Sequence, residues 1–293
     1  MILVTGCSGF VGTHLVNGLV REGFDVKCLV RGTSKRDRLP GDRITFAVAD
    51  VTDRDSVLQA VEGVDTVIHL VGIIREKGQA TFERIHVEGT RNTIEAAKAH
   101  GIRRFIYQSA LGARPDGLTD YQTTKWQAEE LTKASGMAWI ITRPSIIIGR
   151  WGEFVDILTG LVKKPPIIPV IGSGEYKLQP LYIGDLVQAF VKMLRDESLW
   201  GTTYEFGGPD QLTFNQMLDI AQEVLGVRKR KIHLPVSLMK PVVRLMETAS
   251  SKTPVTSDEL AMMAEDNVTD HNALTEVFGI EPTLFREALR LSI

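Results

Sequence analysis

A strand that stops at a glycine turn and restarts as a helix within the first dozen residues limits what this chain can fold into. Met1-Ile2-Leu3-Val4-Thr5 reads as a short buried strand, Gly6-Cys7-Ser8-Gly9-Phe10-Val11-Gly12 follows at once, and residues 13–21 are amphipathic. Unpaired backbone N–H groups and the helix dipole converge at such a junction, which makes it an anion site. Glycine supplies positive φ in the turn and lets the backbone approach a pyrophosphate closely. The spacing is G-x-x-G-x-x-G rather than G-x-G-x-x-G. Three glycines alone would fit an ordinary tight turn. The strand before Gly6 and the helix after Gly12 favour a dinucleotide site.

Apolar strand-like runs alternate with helical patterns through the first half of the sequence. Candidate strands are residues 2–5, 25–30, 44–49, 66–70, 104–108 and 138–142, with helical stretches near 10–21, 53–61, 81–100 and 119–135. Alternation of this kind builds right-handed βαβ units and a parallel sheet covered on both faces. Ligands of such sheets sit at the carboxyl ends of the strands. The expected fold is α/β, a Rossmann-type doubly wound parallel sheet over residues 1–150. Residues 178–208 return to that sheet, with 203–206 as a last strand. Residues 151–177 and 209–293 form a smaller, discontinuous, mostly helical lobe.

Composition narrows the partners. The 293 residues are 43% hydrophobic and 24% charged, with a formal net charge of −2, which argues against a nucleic-acid footprint. Cys7 and Cys28 match no metal spacing or disulfide framework, so a reducing compartment fits. His14, His69, His100, His233 and His271 form no ligand spacing, and no metal site is expected. The first strand begins at residue 1 and no apolar run approaches a membrane span, so the expectation is a cytoplasmic protein. Peripheral contact with a membrane or a protein partner stays open.

The nucleotide half of the site is legible after the second strand. A carboxylate there accepts the ribose 2′-hydroxyl of NAD, whereas arginine accommodates the 2′-phosphate of NADP. Here the strand ends in Arg31, followed by Lys35 and Arg36, and no carboxylate appears until Asp37. Guanidinium binds phosphate in bidentate fashion, so NADP(H) is expected over NAD(H), with a solvated basic loop as the alternative. Asp50, with Val51 beside it, is placed to accept from the adenine amino group. Leu70-Val71-Gly72 lets backbone pass close to the ribose and nicotinamide.

Tyr121-Gln122-Thr123-Thr124-Lys125 is the second informative motif. The i,i+4 spacing puts phenol and amine on one helix face. A neighbouring ammonium is the simplest way to lower a phenol pKa that is otherwise near 10. Such a pair passes a proton to or from a carbonyl or alcohol while a nicotinamide passes the hydride. The competing reading is a surface pair.

At this point the sequence resembles the short-chain dehydrogenase/reductase superfamily. The phrases that carry the resemblance are T-G-C-S-G-F-V-G, His69-Leu70-Val71-Gly72, Tyr121-x-x-x-Lys125, Arg143-Pro144-Ser145-Ile146-Ile147-Ile148-Gly149 and Leu181-Tyr182-Ile183-Gly184-Asp185. Glu88-Gly89-Thr90-Arg91-Asn92 resembles the N-x-x-G-T-x-N helix of the extended, epimerase/dehydratase-like branch. Leu70-Val71-Gly72-Ile73-Ile74, residues 82–90, Ser109-Ala110-Leu111-Gly112-Ala113 and residues 258–268 are similar to atypical members related to the Rossmann-fold accessory subunit of respiratory complex I. The resemblance implies that Tyr121 is the acid/base and that Lys125 binds the nicotinamide ribose. It further implies that Gly6, Ser8, Gly9, Phe10, Val11 and Gly12 form the pyrophosphate loop, and that Pro144, Ile146 and Ile147 flank the nicotinamide.

Two departures bear on the chemistry. The family places a serine or threonine beside the tyrosine, and this chain offers Ser109, with Ala110 at the more usual position. His86 stands where the branch has asparagine. Losing a donor to the substrate oxygen costs a few kcal/mol of transition-state stabilisation in comparable sites. The leading expectation is an NADP(H)-binding oxidoreductase acting on a small or lipophilic carbonyl or alcohol, a quinone included. The alternative is a cofactor-bound assembly, structural or redox-sensing protein without turnover. A sugar-nucleotide epimerase or dehydratase ranks third, because lysine is the only cation among residues 175–180, where such enzymes tend to place an arginine.

Two further stretches have competing readings. The basic run 228–231 reads as a solvated loop or, alternatively, as a pyrophosphate clamp. Residues 235–248 are apolar with Lys240 and Arg244 interspersed, and read as a lobe helix or as a surface for lipid, a lipophilic substrate or a partner protein.

Overall fold

The computed structural model describes residues 1–249 and 255–293. In chain order the strands and helices are β1 Ile2–Thr5, α1 Phe10–Arg21, β2 Val26–Val30, β3 Ile44–Val48, α2 Arg54–Ala60, β4 Thr66–His69, α3 Gly89–Ala99, β5 Arg104–Gln108, α4 Asp120–Lys133 and β6 Ala138–Pro144. They continue as β7 Ile147–Ile148, α5 Glu153–Lys163, β8 Ile168–Ile171, β9 Lys177–Leu178, β10 Leu181–Tyr182, α6 Ile183–Arg195 and β11 Thr202–Phe206. The last are β12 Leu212–Thr213, α7 Phe214–Leu225, β13 Lys231–Leu234, α8 Val236–Ala249, α9 Ser257–Met262, α10 Ala273–Glu276 and α11 Phe285–Ser292. Two compact units result, Met1–Pro144 with Leu186–Glu205, and Ser145–Asp185 with Phe206–Ile293.

The sheet has seven strands in the order β11-β6-β5-β4-β1-β2-β3. The pairings from β6 across to β3 are parallel. This is the doubly wound arrangement expected from the alternating pattern, and its order reverses between β1 and β4. All four residues of β1 are buried, as a strand covered by helices on both faces requires. On α1, Leu15, Val16 and Leu19 are fully buried, and Gly18 sits tightly against the Val187 side chain of α6. A core that includes Leu3, Val57, Val67, Ile94, Ala97, Phe105, Tyr107 and Ile141 fills one face of the sheet.

One element departs from the even helix expected over residues 81–100. Glu83–Glu88 form a wider π-helical turn that runs directly into α3. Such turns reposition side chains within a helix and recur at functional sites. Here the turn carries His86.

The second unit packs Ile148, Val155, Leu158, Val162, Val170, Met217, Leu218, Phe285 and Leu289 into its own core. It is mostly helical, with short ladders that the sequence pattern misses: β7 with β10, β9 with β12, and β8 with β13. Helix α7 begins on a Thr213–Gln216 capping box and ends at Gly226 in the left-handed region, both of them local sequence signals. The basic run 228–231 is not all loop: Lys231 opens β13 and holds the Asp219 carboxylate at 2.8 Å.

Candidate active site

The glycine turn is built for close backbone approach. Gly6 has φ +71°, and a Cβ there would lie 3.2 Å from the carbonyl carbon of Leu70 and the nitrogen of Val71. The loops after β1 and β4 therefore abut at the point where the strand order reverses. A Cβ on Gly12 would collide with the carbonyl oxygen of Gly6 and come within 2.6 Å of Cys7 Cα, so only glycine lets α1 start here. Gly9 N–H donates to Gly6 O at 3.0 Å and closes the turn, while Ser8 and Gly9 are exposed at its crest. Helices α2 and α4 are capped by Asp53 and Thr119, but α1 has neither a capping side chain nor an acidic residue in its first turn. Among the described residues its first N–H groups, those of Phe10 and Val11 included, have no side-chain acceptor, and no acidic residue in the first turn offsets the positive end of the dipole. This cradle fits a dinucleotide pyrophosphate.

The residues expected on the adenosine side lie after β2, after β3 and on α3. Arg31 follows β2 directly and is exposed, as are Lys35 and Arg36; the Arg31 N–H donates to Ser34 Oγ at 3.0 Å. The Arg36 guanidinium lies over the Phe46 ring, 4.7 Å from its centroid. Asp50 Oδ1 accepts from the N–H and hydroxyl of Thr52, both at 2.9 Å, which fixes the carboxyl at the end of β3. Val51 is buried; its carbonyl accepts from Asn92 Nδ2 at 2.9 Å, and its side chain fills the space against Gly89. Gly89 and Asn92 thus act from α3 by holding the Asp50–Val51 turn.

Lys125 is a buried cation on α4. Its side chain is buried, 5% exposed, and Nζ donates to the carbonyl of Gln108 at 3.0 Å while lying 5.2 Å from the Tyr107 ring centroid. A Cβ on Gly72 would come within 2.9 Å of that nitrogen, so the loop after β4 and helix α4 meet at Lys125. Burial pulls the Lys125 amine down to about 8, partly offset by the Glu129 carboxylate one turn further along the helix. Tyr121 packs edge-on against Phe82 and His86, with centroids 5.8 and 5.6 Å away. Burial pushes its phenol up to about 12.

Ser109 follows β5, is buried, and its hydroxyl has no hydrogen-bond partner among the described residues. Among the described residues no side-chain hydrogen bond joins Tyr121 to Lys125 or Ser109. Pro144 closes β6, and its carbonyl accepts from Leu111 N–H at 3.0 Å. Ile146 and Ile147 belong to the second unit, where Ile146 O accepts from Leu181 N–H at 2.9 Å and Ile147 pairs with Leu181 in the β7–β10 ladder.

Sequence reasoning missed two constructions. The first centres on His86. Thr124 Oγ1 donates to the Asp120 carbonyl at 2.6 Å, so its oxygen accepts from His86 Nδ1–H at 3.0 Å. Nε2 lies 3.1 Å from both the N–H and the carbonyl oxygen of Ile73, and in the neutral ring it accepts from the N–H. Burial and the nearby Lys125 ammonium keep the ring neutral, lowering its pKa to about 2. The second is a buried ion pair: Arg143 grips Glu129 through Nε–Oε1 at 2.9 Å and a terminal nitrogen–Oε2 at 2.7 Å, while also touching Glu205 at 3.4 Å. Its signal was present, because Tyr121, Lys125 and Glu129 recur every four residues on one helix face.

A family model described as NAD(P)H-binding matches residues 6–150. The chain is 30% identical over 286 residues to the mitochondrial NADH dehydrogenase [ubiquinone] 1 alpha subcomplex subunit 9 of Arabidopsis thaliana, covering 92% of this chain and 71% of that one. It is 27% identical over 253 residues to a ceramide reductase of Caulobacter vibrioides, covering 86% and 79%. Among solved structures, the UDP-glucose 4-epimerase of Thermotoga maritima shares the fold with a TM-score of 0.76 at 20% identity, over 99% of this chain and 96% of that one. This chain belongs to the extended, epimerase/dehydratase-like branch of the short-chain dehydrogenase/reductase superfamily, among its atypical members related to the Rossmann-fold accessory subunit of respiratory complex I.

Proposed function

We propose that this protein is an NADP(H)-dependent oxidoreductase that reduces a small or lipophilic carbonyl, or oxidises the corresponding alcohol, with Tyr121 and Lys125 as its working pair. The observation that carries the reading is Lys125: a buried amine held at about 8 against Gly72 and the carbonyl of Gln108, one helical turn from a phenol. A buried cation costs stability, a cost that a role in binding or proton transfer accounts for. Bound at the cradle, a reduced nicotinamide supplies the hydride. Tyr121 donates its phenolic proton to the carbonyl oxygen, and its pKa near 12 keeps that proton in place at neutral pH. Lys125 would hold the ribose hydroxyls of the bound cofactor, and its positive charge favours the phenolate that Tyr121 becomes. Ser109 supplies its unpaired hydroxyl as second donor to the substrate oxygen. Similarity to a relative named ceramide reductase supports a lipophilic substrate.

Arg31, exposed after β2 with no carboxylate beside it, supports NADP(H) over NAD(H). Arg31→Ala is expected to weaken NADPH by about tenfold or more and NADH little, since a charge-assisted phosphate contact is worth about 1.5–3 kcal/mol. Equal affinities before and after would contradict the assignment. The activity itself is tested with NADPH deuterated at the transferable position and a panel of long-chain and cyclic ketones. Deuterium at the carbinol carbon of a product is the expected result. A second reading, a cofactor-bound protein without turnover, draws support from the similarity to a complex I subunit. Stoichiometric cofactor retention with no label transfer to any ketone would favour it.

A further inference from the structure

Helix α8 and the strand before it carry charge and apolar surface that the second unit leaves facing solvent. Residues 228–249 contain Arg228, Lys229, Arg230, Lys231, Lys240 and Arg244 against one carboxylate, Glu247, although the whole chain is net −2. Lys229 is engaged by the carbonyls of Lys163 and Pro165, and Lys231 by Asp219. Arg228, Arg230, Lys240 and Arg244 are exposed, and none has an ion-pair partner among the described residues. On α8 the apolar side chains Leu238, Val242, Leu245 and Met246 fall at i, i+4, i+7 and i+8 and form one stripe. They are 66%, 44%, 71% and 38% exposed, whereas Val243 is buried at 2%. At 3.6 residues per turn, Lys240 and Arg244 fall on the flank away from that stripe, with Val243 between the two. The helix therefore rests on its unit through Val243, with an apolar edge and a basic edge both open.

We propose that this face docks on an anionic phospholipid surface, lying in the headgroup plane. The apolar stripe supplies the inserting edge, and the exposed Lys240 and Arg244 supply attraction to negative headgroups, with Arg228 and Arg230 adding to the net positive charge of residues 228–249. Charge selects this occupant over a second copy of the chain, because two such segments facing each other repel. None of the described helices is long and apolar enough to cross a membrane, so the contact is peripheral.

The test is flotation of the full chain with vesicles of phosphatidylcholine alone and of phosphatidylcholine mixed equally with phosphatidylglycerol. Wild type is expected to float only with the anionic vesicles, and less so at high salt. Lys240→Gln/Arg244→Gln is expected to lower the partition coefficient about thirty-fold, equivalent to about 1 kcal/mol per basic side chain near an anionic surface. Leu238→Ser/Leu245→Ser, at exposed positions that leave the thermal melt unchanged, is expected to lower it more than about tenfold. Equal binding to both vesicles, no binding to either, or binding untouched by both double substitutions would overturn the proposal. Dimerisation in sedimentation that Leu238→Ser/Leu245→Ser abolishes, with no flotation, would overturn it in favour of a second copy. An anionic protein captured on this face, with no flotation, would overturn it equally.

Discussion

At the residue scale, Lys125 shows a site at odds with its own fold. Its amine is pulled down to about 8 from 10.5, so both folded and unfolded chains are protonated below pH 8 and the folded state carries the whole cost of burying the charge. That cost is released as pH rises from about 8 to 10.5, where only the unfolded chain still holds the proton. Lys125→Met is therefore expected to raise stability at pH 7 by about 2 kcal/mol, after allowing for the lost bond to Gln108, with the gain fading above pH 10. Urea titrations at pH 7 and pH 10 check this, and a destabilised variant at pH 7 would contradict it. The same substitution should remove activity, a trade of stability for function. Gly6, Gly9, Gly12, Tyr121 and Lys125 were legible because each obeys a spacing set by backbone geometry. The His86–Thr124 bond was not, since its partners stand 38 positions apart and meet only once the π-helical turn lies against α4.

At the element scale, α4 carries the site on one face: Tyr121, Lys125 and Glu129 in successive turns, with Arg143 of β6 clamping Glu129. Arg143→Met would strand a fully buried carboxylate and is expected to cost about 3–5 kcal/mol in urea denaturation, most of it recovered in Glu129→Leu/Arg143→Met. A single-variant cost below about 1 kcal/mol would show that the pair is not structural. Strands β1 and β4 were readable because strands covered on both faces are continuous apolar runs. The two-residue ladders of the second unit were not, because two residues carry no period.

At the scale of the whole molecule, two buried neutral histidines set the acid limit. His69, on β4 with Nδ1 at 2.8 Å from Thr5 Oγ1, is lowered to about 3 chiefly by burial, and His86 to about 2. From an unfolded value of 6.5 down to about 3, the unfolded chain takes up two protons that the native state refuses, so stability falls as pH falls. The pair is expected to contribute about 2–3 kcal/mol per pH unit between about pH 5.5 and 4. His86→Asn should reduce that slope by about 1.4 kcal/mol per pH unit, and an unchanged slope would show that His86 titrates freely in the fold.

The proposed function requires that Tyr121 and Lys125 turn over a cofactor rather than store it. The most direct measurement is single-turnover oxidation of bound NADPH by a lipophilic ketone, comparing wild type with Tyr121→Phe at equal cofactor occupancy. The expected result is cofactor affinity unchanged within about twofold and a rate lowered by about 10²–10⁴-fold, the usual range for a proton-transfer group. Equal, slow oxidation in both proteins would contradict the enzyme and leave a dinucleotide carrier.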